Sequence, residues 1–251
     1  MFIRLACIML LALSAAAGDF LAAWPDGKSE KLYYEVTTYV PVEMKASTTV
    51  EISKSGGAIP VFSVNQTFDI PMQQININSQ EKYNGNNLRF ASSENLLKFP
   101  EQAKAQLGTD TVRLSAVARG DSVDISSNVP RYAPPGKIPM SDNLTTSVGT
   151  ILAARDFDFR LGAVKKYNEV DLLTFNGRPF NAVEDIDSVA AEQDITVAAG
   201  TFSCYQLVSS GPTAISYTYF SKDERHLPVL FEIFRADDTM KVVRMELQKF
   251  E

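Results

Sequence analysis

The sequence predicts a mainly β protein: one antiparallel sheet with few helices, in a single β-rich domain over residues 18–251. Three observations carry this. The last quarter, Gln193–Phe250, holds four short runs rich in Val, Ile, Phe and Tyr: Ile195–Val197, Phe202–Val208, Ile215–Phe220 and Val229–Phe234. Between them lie Gly200, Ser209–Pro212 and Ser221–Glu224, the residues that make turns. Links this short join only antiparallel neighbours, because a parallel pair needs a crossover of about a dozen residues or more.

The elements follow in order. Lys31–Tyr39 (KLYYEVTTY) is a strand of aromatic and β-branched residues. After a bend at Pro41, Met44, Ala46, Thr48, Val50 and Ile52 fall on one face of Glu43–Ser53, the period of two of a half-buried strand. Ile59–Ile70 and Gln74–Asn78 continue the rhythm, and Asn84-Gly85 is a turn suited to positive φ. Leu88–Phe90 follows as a short strand. Phe99–Leu107, with Pro100 at its start and Gly108 past its end, predicts a short helix. Val112–Ala118 and Val123–Ser126 form a hairpin around Arg119-Gly120-Asp121, a triplet read as turn chemistry rather than adhesion.

Ser127–Ser141 contains Pro130, Pro134, Pro135 and Pro139 and is read as irregular, covering an edge or mouth. Asp142-Asn143 can cap a helix in which Leu144, Val148, Ile151 and Leu152 recur at helical spacing, an amphipathic piece to pack on the sheet. Strands return at Lys166–Phe175 and Phe180–Ile186 around an Asn176-Gly177 turn, and Lys241–Leu247 closes the meander.

The chain has 251 residues, 45% hydrophobic and 22% charged, enough to bury a sizeable core. A net charge of −6 argues against a nucleic-acid partner, which must be met with Lys and Arg. Residues 1–17 read as a signal peptide: Arg4, then the apolar Leu5–Leu13, then Ala15-Ala16-Ala17. The apolar run is short for a membrane span, so the expectation is an exported protein, periplasmic or secreted, and not integral to a membrane. Removal of this segment takes Cys7 and leaves Cys204 as the single thiol, so the mature chain has no internal disulfide.

Chemistry is sparse. His226 is the single histidine, which excludes zinc sites built on several His and Cys ligands. Asp185, Asp187, Asp237 and Asp238 cluster in sequence but match no calcium loop spacing. Cys204 lies inside an apolar strand, where a cysteine packs as a small hydrophobe, and His226 in a charged turn, so the pair does not read as nucleophile and base. No P-loop, GxGxxG or GxSxG is present. The expectation is no catalytic set, no metal and no cofactor.

Asn176–Phe180, Gly200-Thr201-Phe202-Ser203-Cys204-Tyr205 and Ser221–Val229 (SKDERHLPV) together resemble a family of exported bacterial proteins of unknown function. That family is related in fold to the lipoprotein carriers LolA and LolB, and the resemblance spans Asp142–Phe250. It implies a strongly curved antiparallel sheet or half-barrel with a helix on its concave face, able to hold an apolar or lipid-like ligand. The residues expected to line that space are Leu144, Val148, Ile151 and Leu152, with Phe202, Tyr217 and Tyr219 from the meander. The alternatives are an interaction module with a filled core, meeting a protein partner of the cell envelope, and an envelope hydrolase. An acylated N-terminal cysteine, the mark of a lipoprotein receptor, is missing.

Overall fold

The computed structural model describes residues 24–39, 42–131, 133–173, 179–210, 214–236 and 240–251. The predicted signal segment, the Asn176-Gly177 turn and the Asp237-Asp238 pair lie outside them. The first strands are β1 (Ser29–Thr38), β2 (Met44–Ser55), β3 (Val61–Ile70), β4 (Ile75–Asn84) and β5 (Phe90–Lys98). After helix α1 (Glu101–Leu107) come β6 (Thr111–Arg119), β7 (Ser122–Ser127), β8 (Gly136–Pro139) and β9 (Leu144–Thr146). Helix α2 (Thr150–Arg155) precedes β10 (Val164–Val170), β11 (Val183–Val197) and β12 (Gly200–Ser210). The last strands are β13 (Ala214–Ser221), β14 (Pro228–Arg235) and β15 (Lys241–Phe250).

These fifteen strands form one sheet in the order β8-β7-β6-β5-β4-β3-β2-β1-β15-β14-β13-β12-β11-β10-β9. The chain lays down one wing from β1 outward to β8, then returns along the other from β9 to β15, which pairs with β1. Every pairing is antiparallel except β9 with β10, and that pair is the one joined by a crossover, through α2. Laid flat, fifteen strands would span about 67 Å. Yet the two edge strands are joined by Met140–Asn143 alone, a stretch that reaches at most about 18 Å. The sheet is therefore curled until its edges approach, an unclosed barrel.

Alternation sets the two faces. In β1 and β2, Leu32, Tyr34, Val36, Val50 and Ile52 are buried while their sequence neighbours are not. One large cluster joins Leu32, Tyr34, Val50 and Ile52 to Phe62, Val64, Tyr83 and Ile125 of the first wing, to Leu144, Val148 and Leu152, and to Val229 and Leu247 of the second. A second cluster holds Leu97, Val112 and Leu114, and a third joins Ala154 and Phe157 to Val189, Leu207 and Phe220.

The structure amends the sequence reading at several points. Leu144 does not begin a helix: Leu144–Thr146 is strand β9, and α2 starts at Thr150. Three consecutive residues pair with Asn168–Val170, and this pairing outweighs the helical spacing of the apolar residues. Gly85 is required for close approach rather than for positive φ, since a Cβ there would stand 2.7 Å from the Pro60 side chain and 2.8 Å from its backbone. The left-handed residue of that turn is Leu88, at φ 53°. The expected strand Phe180–Ile186, from Val183 onward, and the expected Ile195–Val197 belong to one fifteen-residue strand, β11, with a bulge between Val189 and Ala191. The proline-rich segment ends in the short edge strand β8. Helix α1 and the hairpin around Gly120 stand where expected.

Candidate functional site

The segment Leu144–Phe157 runs through the curled sheet as an internal plug, and most of its polar ties to the wall are ionisable. It starts on β4. Glu81, 1% exposed, lies on the same face as Tyr83 and Ser79. Thr146 Oγ1 stands 2.5 Å from both Glu81 carboxylate oxygens, the Tyr83 hydroxyl donates to Oε2 at 2.8 Å, and Ser93 Oγ donates to Oε1 at 3.3 Å. Burial pushes the pKa of this acid up to about 7, against the opposing bonds from Thr146, Tyr83 and Ser93.

Three residues on, the plug must pass close to Tyr83. A Cβ on Gly149 would lie 1.7 Å from the Tyr83 oxygen, so glycine is dictated here by space. Gly149 N–H donates to Thr146 Oγ1 at 3.1 Å. On the plug's other flank, Glu169 of β10 accepts from Ser147 Oγ at 2.8 Å and Thr150 Oγ1 at 3.4 Å, and burial raises its pKa.

The far end is pinned by Arg155, fully buried. Its guanidinium makes two bonds to Glu30 of β1, the shorter 2.6 Å, bonds the Arg225 carbonyl, and stands 5.0 Å from the centre of the Trp24 ring. A paired, fork-shaped cation is what lets a charge sit so deep. The His226 ring nitrogen Nδ1 meets the Arg155 carbonyl oxygen at 3.2 Å, its ring packs against Phe159 at 4.5 Å, and its backbone is left-handed at φ 45°. Burial lowers the histidine's pKa. Cys204 is wholly buried, with burial pushing its thiol up to about 12, and its Sγ bonds the Phe202 carbonyl. Neither residue is the other's hydrogen-bond partner.

Two hollows accompany this core. A cleft of about 190 Å³ lies where the plug meets β4 and β10, bounded among others by Tyr83, Leu144, Asp156, Lys165 and Tyr167. A larger trough, about 660 Å³, crosses β3–β7. Its sides are two rows in register, Asn65, Gln80, Glu94, Ser115, Ser126 and Thr67, Asn78, Leu96, Arg113, with Asn128 bonding the Arg113 N–H. The residues between the rows, such as Ser79, Asn95 and Leu114, are buried and point the other way. The trough thus lies on the face away from the core, floored by backbone.

The structure separates the residues expected to line one space. Leu144, Val148 and Leu152 on the plug and Tyr219 on β13 are buried in the main cluster; Ile151, Phe202 and Tyr217 pack against it, half-buried. Registers place Phe202, Tyr217 and Tyr219 on the sheet face that carries Cys204, opposite the face of Tyr205 and Leu207 that receives Phe157 and Phe159. Of the seven, Leu144 borders the smaller of these two hollows and none borders the trough. Glu81 and Arg155 were missed by the sequence reading. The signals were present: Glu81 continues the odd-numbered face of Ile75 and Ile77, and Arg155 continues the helical face of Val148, Ile151 and Leu152.

The likeness that this architecture has to solved structures is one of fold. Neither a family model nor a curated protein matches the sequence. A crystal structure of a β-barrel-like protein from Brucella abortus, of the domain of unknown function DUF1849, superposes with a TM-score of 0.56. It is 10% identical and covers 89% of this chain and 97% of its own. The chain has a barrel-like fold of that kind. Two others superpose at lower scores: a candidate exported protein with a YmcC-like fold from Bacteroides fragilis (0.36; 9% identity; 90% and 97% covered) and a candidate lipoprotein from Parabacteroides distasonis (0.38; 10% identity; 90% and 97% covered). No helix among the described residues is long and apolar enough to cross a membrane.

Proposed function

We propose that this is an exported, non-enzymatic protein of the cell envelope that acts as a rigid interaction module with a filled core. The observation that carries this is the state of the space an apolar ligand would need. Leu144, Val148 and Leu152, expected to line it, are 3%, 3% and 1% exposed and belong to the same buried cluster as Val50, Phe62 and Leu247. The trough offers a partner a long, mostly uncharged face. The signal-like residues 1–17 support export.

A second reading is a carrier of the LolA and LolB kind, in which an apolar or lipid-like molecule displaces the plug. The ionisable ties at Glu81, Glu169 and Arg155 favour it, since such ties can be loosened without dismantling the strand wall. Native mass spectrometry of the protein purified from its own envelope, followed by solvent extraction, separates the two. A mass equal to the processed polypeptide alone is expected for the module; a co-purifying lipid would overturn it in favour of the carrier.

A further inference from the structure

The trough across β3–β7 is the surface to which the interaction reading points, and its side chains select the kind of partner. The floor is strand backbone already paired in the ladder, so hydrogen bonds to a partner must come from the two rows of side chains. Part of that set is spent within the rows: Thr67 donates to Asn78, and the Ser115 and Ser126 hydroxyls bond each other at 2.7 Å. Another part is unspent. Asn65, Gln80 and Glu94 are register neighbours on three successive strands, and Arg113 stands diagonal to Glu94 on the next. None of these four side chains makes a hydrogen bond or ion pair with another of the described residues. Gln80, Glu94 and Arg113 are exposed, and Leu96 is the one apolar side chain in the rows.

We propose that the trough binds a neutral oligosaccharide lying across the strands, an inference that rests on the interaction reading. Each unspent group is a planar fork: the Asn65 and Gln80 amides pair a donor with an acceptor, the Glu94 carboxylate accepts twice, and the Arg113 guanidinium donates twice. Neighbouring hydroxyls of a sugar ring, each both donor and acceptor, meet such forks two at a time. Glu94 and Arg113 are the rows' one acid and one base, so the face carries no net charge. A phosphate polymer would need an excess of cations instead. A protein partner would need apolar anchors, and Leu96 alone supplies one; against a sugar it offers a patch for the C–H face of a ring. Strands about 4.8 Å apart make the trough, from β3 to β7, about 19 Å long, room for several linked rings.

The test is an NMR titration of the full mature chain, read at its backbone amides, with cellotetraose, N-acetylchitotetraose and maltotetraose, beside a Gly-Ser hexapeptide. Saturable shifts confined to β3–β7 are expected for at least one of the glycans, and none for the hexapeptide. Glu94→Ala is expected to weaken binding about tenfold, and Gln80→Ala about fivefold, through lost hydrogen bonds. Both positions are exposed and outside the core, so the amide spectrum away from the trough should stay in place. Weaker binding in either variant locates the glycan on these rows. No saturable shift in the trough with any of the three glycans overturns the proposal, as does an affinity unchanged in both variants. Saturation of the same amides by the hexapeptide and not by the glycans also overturns it, in favour of a protein partner. Failure of the interaction reading looks different: a lipid then co-purifies with the protein, whatever the glycans do.

Discussion

The strand wall and the plug solve the same problem, burying one face of a chain, by opposite means. In the wall, β1 to β7 follow one another as neighbours, and each strand finds its partner within a few residues. Burial there is apolar and periodic: Leu32, Val50, Ile52, Phe62, Val64 and Val112 are all fully buried. The plug has no such neighbour. Its strand is three residues long, its helix six, and its ties reach 65 residues back to Glu81 and 125 back to Glu30. Short elements contribute little on their own, so the plug's position rests on buried polar and charged contacts that are costly when incomplete.

This contrast orders the expected effects. The largest falls on Arg155. Arg155→Ala leaves Glu30 buried without its partner, and breaking such a pair costs about 3–5 kcal/mol. Urea denaturation should register that loss, and the double variant Arg155→Met, Glu30→Gln should recover part of it, because no bare charge then remains. Full recovery by Arg155→Met alone would mean the pair is not desolvated as described.

Next comes Gly149→Ala. The added methyl would meet the Tyr83 oxygen at 1.7 Å and Thr145 Oγ1 at 2.9 Å. Forcing an extra carbon into a packed core costs about 1–3 kcal/mol. Tyr83→Phe removes the clashing oxygen, so the cost of Gly149→Ala should shrink in that background, a coupling that a double-mutant cycle reads directly. An alanine at a comparably buried wall position has no analogous partner to relieve it.

Stability should also respond to pH, through Glu81 where the plug meets β4 and Asp187 on β11. Burial lifts Glu81 from an ordinary 4.5, and Asp187 from 3.8, to about 7 in each case, Asp185 and Glu169 adding to the second. Between the unfolded and folded values the native state binds more protons than the unfolded chain. Stability therefore falls as pH rises through that window and levels off above about 7. The carboxyls with lowered values, Asp223 and Glu251, act below it, and His226, whose pKa burial lowers, opposes the fall near its ordinary 6.5 without matching two raised carboxyls. Denaturation midpoints should be higher at about pH 5 than at about pH 8. Glu81→Gln should flatten much of that slope; an unchanged slope would mean Glu81 keeps its charge in the folded protein.

How much of this could be read in the chain divides along the same line. The wall strands were legible because alternation is a local signal, and β1, β2, β6 and β12 to β15 lie within a few residues of their expected bounds. β5 was nearly missed, since its buried positions include Ser93 and Asn95, and polar residues conceal a face that apolar ones advertise. The extension of β4 past Asn78 was lost for the same reason, at Ser79 and Glu81. The helical spacing of Leu144, Val148, Ile151 and Leu152 marked a real buried face but overstated the helix. What anchors that face, the pairing of Arg155 with Glu30 and of Thr146 with Glu81, depends on contacts that only the closed fold creates.

The smallest effect makes the comparison sharpest, because it uses one chemical change in both regions. Thr67 on β3 and Thr146 on β9 each bond a side-chain oxygen, Thr67 to Asn78 Oδ1 at 3.1 Å and Thr146 to the Glu81 carboxyl. Thr→Val keeps the shape and deletes the hydroxyl in both cases. At Thr67 the bond is exposed and water replaces it, so the change should stay within about 0.5 kcal/mol. At Thr146, 3% exposed, no water can take its place, and Glu81 loses two of its four contacts. That should cost about 1–3 kcal/mol. It should also move the pH-dependent loss of stability to higher pH, since the Thr146 bond holds the Glu81 pKa down against burial. Equal effects at the two threonines would mean that the plug is as hydrated as the wall's outer face, and that its position is set by apolar packing alone.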